Sequence, residues 1–172
     1  TENKKFQEIL ETKKNENLNF VISKVLLDKE SPFLKSLIIN KGAKFGIEKG
    51  MPVVEGNYLV GRVVEVNFLS SRVLLLNDLN SKIPVIIQDD GSQAILAGNG
   101  SDKPNLDYLP ERYEAKEESV VFTSGKDGIF SAGLAVGKIV LDDNGISKVK
   151  LFTDPNQLSF VNVILSSTES NF

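Results

Sequence analysis

Four short stretches of this 172-residue chain have the residue types of a chemical site, and none can call on His or Cys, because the chain has neither. Gly56-Asn57-Tyr58-Leu59-Val60-Gly61-Arg62-Val63 has the glycine spacing of a phosphate-binding loop. Such a loop needs a Lys for the phosphates and a Ser or Thr hydroxyl for magnesium, and here Arg62 and Val63 stand in those places. Ser147-Lys148-Val149-Lys150 fits the Ser-x-x-Lys pattern of a nucleophile and its base. That pair works on one turn of helix, whereas Lys148 and Lys150 flanking Val149 read as the solvated face of a strand. Asp142-Asp143-Asn144-Gly145 offers carboxylates but lacks the further spaced ligands and closing Glu of a calcium loop, so it reads as a hairpin turn. Glu117 and Glu118 are adjacent and on a strand would point to opposite sides, the wrong geometry for paired carboxylates. Lack of His and Cys also excludes zinc held by those ligands, His-held haem, a thiolate nucleophile and a Ser–His–Asp triad. No catalytic, cofactor-binding or metal-ligating residue is assigned.

The elements that would position any site belong to a globular chain, 41% hydrophobic and 25% charged. A net charge of −3 and a pI near 5.1 argue against a nucleic-acid partner, which asks for a basic stripe. Absence of Cys leaves the redox compartment open. No unbroken apolar run is longer than that of Val73–Leu76, against roughly 20 residues for a membrane helix. A start at Thr1 instead of Met points to an upstream segment, where a membrane anchor would have its place.

Residues 1–17 read as a helix with Phe6, Ile9 and Leu10 on one face, stopped by Asn15, Asn17 and Asn19. From Phe20 the texture is short β-rich runs: Phe20–Leu27, Leu37–Asn40, Val53–Val54, Leu59–Val66, Val73–Leu76 and Pro84–Gln88. A second set follows at Ala94–Ala97, Leu106–Leu109, Ser119–Thr123, Ala135–Leu141, Lys148–Phe152 and Phe160–Leu165. Gly- and Asn-rich turns separate them, so the expected fold is all-β, a sandwich or small barrels. The glycines of Lys41–Gly50 are expected to take positive φ, and Pro52 to start a strand.

An internal repeat sharpens this. One gap-free shift carries Val60-Gly61-Arg62-Val63-Val64 onto Val136-Gly137-Lys138-Ile139-Val140, and Ser71-Arg72-Val73 onto Ser147-Lys148-Val149. It continues through Leu75 and Leu151, Asp78 and Asp154, Asn80 and Asn156, Val85 and Val161. Each copy reads strand, loop, strand, Asp-x-Asn turn, strand. Closure removes sheet edges, so two small similar β-barrels are expected, over 18–92 and 93–166, with a tail at 167–172. Phe20–Leu27 and Ala94–Ala97 are the strands most open to exchange between them.

The same segments carry a family resemblance. Ile39–Gly42, Gly46-Ile47-Glu48-Lys49-Gly50-Met51-Pro52-Val53-Val54 and Leu59–Val66 resemble the bacterial rod shape-determining MreC family. Ser71–Asp78, Ile83-Pro84-Val85, Asp107-Tyr108-Leu109-Pro110, Val120–Gly125, Gly128-Ile129-Phe130 and Gly133–Gly137 continue the match in order. Two places depart from it. Glu118-Ser119 stands where the family has Gly-Asp, and Phe130-Ser131-Ala132-Gly133-Leu134 replaces Phe-Pro-x-Gly-Leu, both changes falling on turns.

The resemblance implies a non-enzymatic scaffold with a membrane helix, a coiled coil and two β-barrels outside the cytoplasmic membrane. Residues 1–17 would then be the end of that coiled coil. Implied partners are the elongation-specific class B penicillin-binding protein, which it would bind and activate, together with MreB, MreD, RodZ and RodA, and further copies of itself. Gly42, Gly46, Gly50, Gly61, Arg62, Asp78, Gly125 and Gly137 are structural motif positions, and no catalytic residue is carried over. Phe33, Leu34, Tyr58 and Phe68 lie beside turns and are the candidate partner contacts. Under the repeat, Phe33 and Phe68 fall on Leu109 and Asn144, an asymmetry that favours contact through the first barrel. A periplasmic adaptor of a transport complex is the alternative, but it asks for a helical return after the barrels, and the end of this chain is Ser-rich. A small-barrel enzyme is a third reading, disfavoured by the missing His and Cys.

Overall fold

The computed structural model describes residues 19–26, 35–114, 116–126 and 132–165. Twelve strands form one continuous hydrogen-bonded system, and the described residues contain no α-helix. The strands are β1 (Asn19–Leu26), β2 (Ser36–Ile39), β3 (Pro52–Glu55), β4 (Tyr58–Val66), β5 (Ser71–Leu75) and β6 (Lys82–Ile87). They continue with β7 (Gln93–Ala97), β8 (Asn105–Asp107), β9 (Val120–Thr123), β10 (Ala135–Leu141), β11 (Ser147–Leu151) and β12 (Phe160–Leu165). Every run read from the sequence holds a strand, with ends shifted by at most a few residues. The expected N-terminal helix and the tail lie outside the described residues.

The strands close into two six-membered rings. Ring one runs β4-β3-β12-β1-β2-β5 and shuts through β4–β5; ring two runs β11-β8-β7-β6-β9-β10 and shuts through β10–β11. A single parallel bridge, Tyr58 to Ala135, joins them. Relative to the division expected at 92/93, β6 pairs with β7 and β9, and β12 pairs with β1 and β3. Neither β1 nor β7 crosses between rings. In both repeat copies it is the strand after the Asp-x-Asn turn that enters the other ring.

The repeat has a visible physical basis. Gly61 faces Leu75 and Gly137 faces Leu151 in matching ladders. A Cβ at Gly61 would overlap the Leu74 carbonyl oxygen, and one at Gly137 the Lys150 carbonyl oxygen, so only glycine lets these strands approach. Both turns are built alike: Asp78 Oδ2 accepts the Asn80 N–H at 2.8 Å, and Asp154 Oδ1 accepts the Asn156 N–H at 3.0 Å. Asp78 goes further. It is 2% exposed, and its Oδ1 accepts the Lys35 N–H at 2.8 Å, tying the turn to the start of β2.

Period-two alternation feeds two cores from one set of strands. Val53, Val60 and Leu75 fill ring one with Ile39, Val63, Val73, Val161 and Val163. Their chain neighbours Val54, Leu59 and Leu76 instead join Ile83, Val85, Leu96, Val121 and Ile139 in the core of ring two. Residues that look like one apolar run are thus divided between opposite sides of ring one's wall.

Candidate functional site

None of the four chemical motifs becomes a site. The glycine-spaced segment is turn and strand, with Gly56 at φ 60 and Gly61 inside β4. Asp142 closes a hairpin, its Oδ1 accepting the N–H groups of Asn144 and Ile146 at 2.9 Å each. Lys148 reaches the Asn105 side-chain oxygen while Lys150 points to solvent. Glu117 and Glu118 sit in a turn, which corrects the strand geometry assumed for them; Glu118 has φ 74, and the chain turns there instead of alternating. No group of metal-ligating side chains assembles among the described residues, and among them no helix is long and apolar enough to cross a membrane.

What ring one does present is exposed apolar surface. Phe68, on the turn between β4 and β5, is 65% exposed, and Leu69 stands beside it. A 3₁₀ turn over Ala43–Phe45 is locked against this tip, with Ala43 N–H donating to Asn67 O at 2.9 Å and Lys44 N–H to Phe68 O at 3.1 Å. Gly42 makes that contact possible: its φ is −141, and a Cβ would collide with Asn67 and Ser70 backbone. Positive φ was expected at all three glycines of the segment; Gly46 at 86 and Gly50 at 92 have it, and Gly42 serves close approach instead. The fixed turn holds the half-exposed Phe45 ring under the Lys41 ammonium at 4.1 Å, a cation–π contact at the edge of the tip.

A second patch was not foreseen from the sequence. On the outer face of the β1–β12 pair, Phe20, Ile22, Leu26 and Phe160 are exposed, Ile22 at 65% and Phe160 at 58%. The register sets Phe20 across from Ile164, Ile22 across from Asn162 and Lys24 across from Phe160, so the apolar side chains form one stripe. The signal available was the outward set of β1, where Phe, Ile and Leu occupy positions that a solvated strand fills with polar residues. Leu165, opposite Asn19, belongs to the inner face instead: it packs on the core of ring one and approaches Gly46 from there.

Tyr58 is elsewhere. It begins β4 at the junction of the rings, its ring 5.0 Å from that of Phe152 and tilted by 41°. Phe68 follows the far end of the same strand, roughly 30 Å away at about 3.3 Å per residue, so the two do not share a patch. Phe33 and Leu34 lie outside the described residues. Gly125 (φ 78) is held in a turn against Ala132, and Arg62 is partly buried opposite Leu74 and Pro52.

Ring two's end is polar by contrast. The Ser119 hydroxyl donates to Asp89 Oδ2. The Ser92 N–H donates to Asp90 and holds its carboxyl below the usual range. Burial, then the nearby Asp90 and Asp89 charges, push the Tyr113 phenol up.

Comparison with known proteins assigns this architecture. The family described as "Rod shape-determining protein MreC, barrel core" matches residues 25–165. The cell shape-determining protein MreC of Cereibacter sphaeroides is 35% identical over 149 residues, covering 87% of this chain and 50% of the relative, so the chain spans about half that protein's length. The crystal structure of MreC from Pseudomonas aeruginosa superposes with a TM-score of 0.78 at 29% identity, over 86% of this chain and 99% of that one. A chain from the complex between penicillin-binding protein PBP2 and MreC of Helicobacter pylori shares the fold at a TM-score of 0.59 and 18% identity, over 86% of this chain and 100% of its own. The paired six-stranded rings, their repeated glycines and their Asp-x-Asn turns thus belong to a member of the rod shape-determining MreC family.

Proposed function

We propose that this chain is the extracytoplasmic scaffold region of a cell-shape protein, without enzymatic activity of its own, and that the two rings are its two domains. In this reading it binds and activates the elongation-specific class B penicillin-binding protein, and it works at the cytoplasmic membrane with MreB, MreD, RodZ, RodA and further copies of itself. The supporting observation is the apolar surface of ring one around Phe68, Leu69 and Phe45, fixed by backbone hydrogen bonds and left uncovered. A rigid, exposed apolar cluster beside basic side chains is the chemistry of a protein-binding site. The complex formed by the Helicobacter pylori relative gives the partner class its precedent.

The test is a charge inside the patch. Phe68→Glu should abolish capture of the purified class B penicillin-binding protein while shifting stability by no more than about 0.5 kcal/mol, as for an exposed position. Tyr58→Glu, at the ring junction, should leave capture intact. Undiminished capture by Phe68→Glu, at an unchanged melting temperature, removes the tip from the contact.

A further inference from the structure

The repeat makes the β4–β5 and β10–β11 hairpins equivalent, and their tips carry exposed apolar side chains with opposite charge. At ring one's tip, Phe45, Phe68 and Leu69 are accompanied by Lys41 and Lys44. The two ammonium groups stand 4.1 and 5.9 Å from the centre of the Phe45 ring, and among the described residues neither enters an ion pair. Nearby acids do not cancel them. Glu65 pairs with Arg72 at 3.2 Å. Glu48 and its chain neighbour Lys49 stand beside the middle of β4, where Gly50 N–H donates to Val63 O at 2.8 Å. At ring two's tip, Leu141 and Ile146 are exposed on either side of Asp142 and Asp143, with no Lys or Arg between them. Asp142 caps its own hairpin, and Asp143 is left as an exposed charge.

We propose that charge decides which tip is used: ring one's tip takes an acidic segment of the class B penicillin-binding protein that also carries apolar side chains, and ring two's tip repels it. This selection rests on Phe68 being the contact, as proposed above. Apolar surface cannot discriminate, because both tips have it. Two unpaired ammonium groups beside aromatic rings attract carboxylates, while apolar side chains of the same segment cover Phe45 and Phe68. Stacking on Phe45 keeps the Lys41 charge at the edge of the apolar surface, so less side-chain freedom is lost when it pairs. The Asp142–Asp143 tip meets the same segment with like charge, the repulsive element that specificity asks for.

The test measures association and dissociation rates of the whole chain with purified class B penicillin-binding protein at two salt concentrations, with melting temperatures for every variant. Lys41→Glu combined with Lys44→Glu should weaken binding by about tenfold, mostly through slower association. Salt raised from about 0.05 to 0.5 M should weaken the unaltered chain several-fold and the double variant much less. Lys44→Glu alone, which leaves the Lys41–Phe45 stack in place, should give about a threefold loss and decides the matter if the double variant melts lower. Asp143→Lys should leave affinity within about twofold. Loss of binding by Phe68→Glu, with both lysine variants at full strength in low salt, keeps the tip as the contact and overturns the charge selection. Undiminished binding by Phe68→Glu removes the tip and the selection together. A large loss in Asp143→Lys places the contact on ring two and overturns the proposal. So does a lipid outcome, in which the double variant no longer sediments with phosphatidylglycerol vesicles yet binds the penicillin-binding protein as before.

Discussion

The two rings have the same strand count and share one repeated motif, yet they are held together in different ways. Ring one is assembled from discontinuous chain, because β12 arrives from the far end and pairs with β1 over six residue pairs. Its core, however, is drawn from its own six strands and the turns beside them. Ring two is continuous from β6 to β11, but its core is completed by Val54, Leu59 and Leu76 from the wall of ring one. Its seam is also thinner: β8 meets β11 at one residue pair, Asn105 to Lys148, reinforced by Val149 N–H donating to Pro104 O at 3.0 Å. One ring borrows backbone and the other borrows side chains. Repetition of a sequence therefore does not make two independent copies of a fold.

The largest effect should come from removing the borrowed strand. A chain ending before Ser159 loses the β1 ladder of ring one, and with it the platform that caps ring two. No cooperative unfolding transition should remain. Protected amides persisting across β6–β11 in hydrogen exchange would show that ring two stands alone, and would break the comparison.

Next come paired core deletions in ring one's own strands. Leu59→Ala and Leu75→Ala should each cost about 2–5 kcal/mol, the range for buried leucine. They should differ in where protection falls first, Leu59→Ala loosening β6–β11 and Leu75→Ala loosening β1–β5. The same exchange pattern for both would mean a single merged core.

The two Asp-x-Asn turns give a smaller contrast. Asp78→Ala strands two N–H donors at a buried position and should cost about 2–3 kcal/mol, whereas Asp154→Ala loses one exposed cap worth about 0.5–1 kcal/mol. Denaturant midpoints at constant slope read both. Smallest is Glu118→Gly, expected to raise stability by about 1 kcal/mol. Its φ of 74 suits glycine, and the exposed pair with Lys138 contributes little. A lower melting temperature would show that the Lys138 contact outweighs backbone relief.

Most of the strands were legible because turn residues and alternation mark them directly, and Gly61, Gly137, Asp78 and Asp154 stood out through the repeat. Strand partners were not legible. β6 and β12 have the same alternation whichever ring receives them, so nothing local states that each crosses over. The division of Val53 from Val54 and of Leu59 from Val60 was hidden for a related reason: a wall with a core on both sides looks like any buried strand. Glu118 read as a changed turn residue and Tyr108 as a motif residue. Their left-handed backbones, at φ 74 and 63, have no marker in side-chain type. The stripe on β1 was visible as composition, but its exposure depends on which neighbours fail to cover it.

The pairing of Asn19 with Leu165 has a topological consequence. The strand by which the chain enters ring one lies against the strand by which it leaves, and all of ring two is an excursion between them. Ring one is thus a host and ring two its guest. Such a chain tolerates rewiring: joining the ends through a short linker and opening it at the exposed Asp142–Gly145 hairpin keeps every strand beside its neighbours. Growth is likewise partitioned, since loops of the guest can lengthen without separating the two strands that anchor its host.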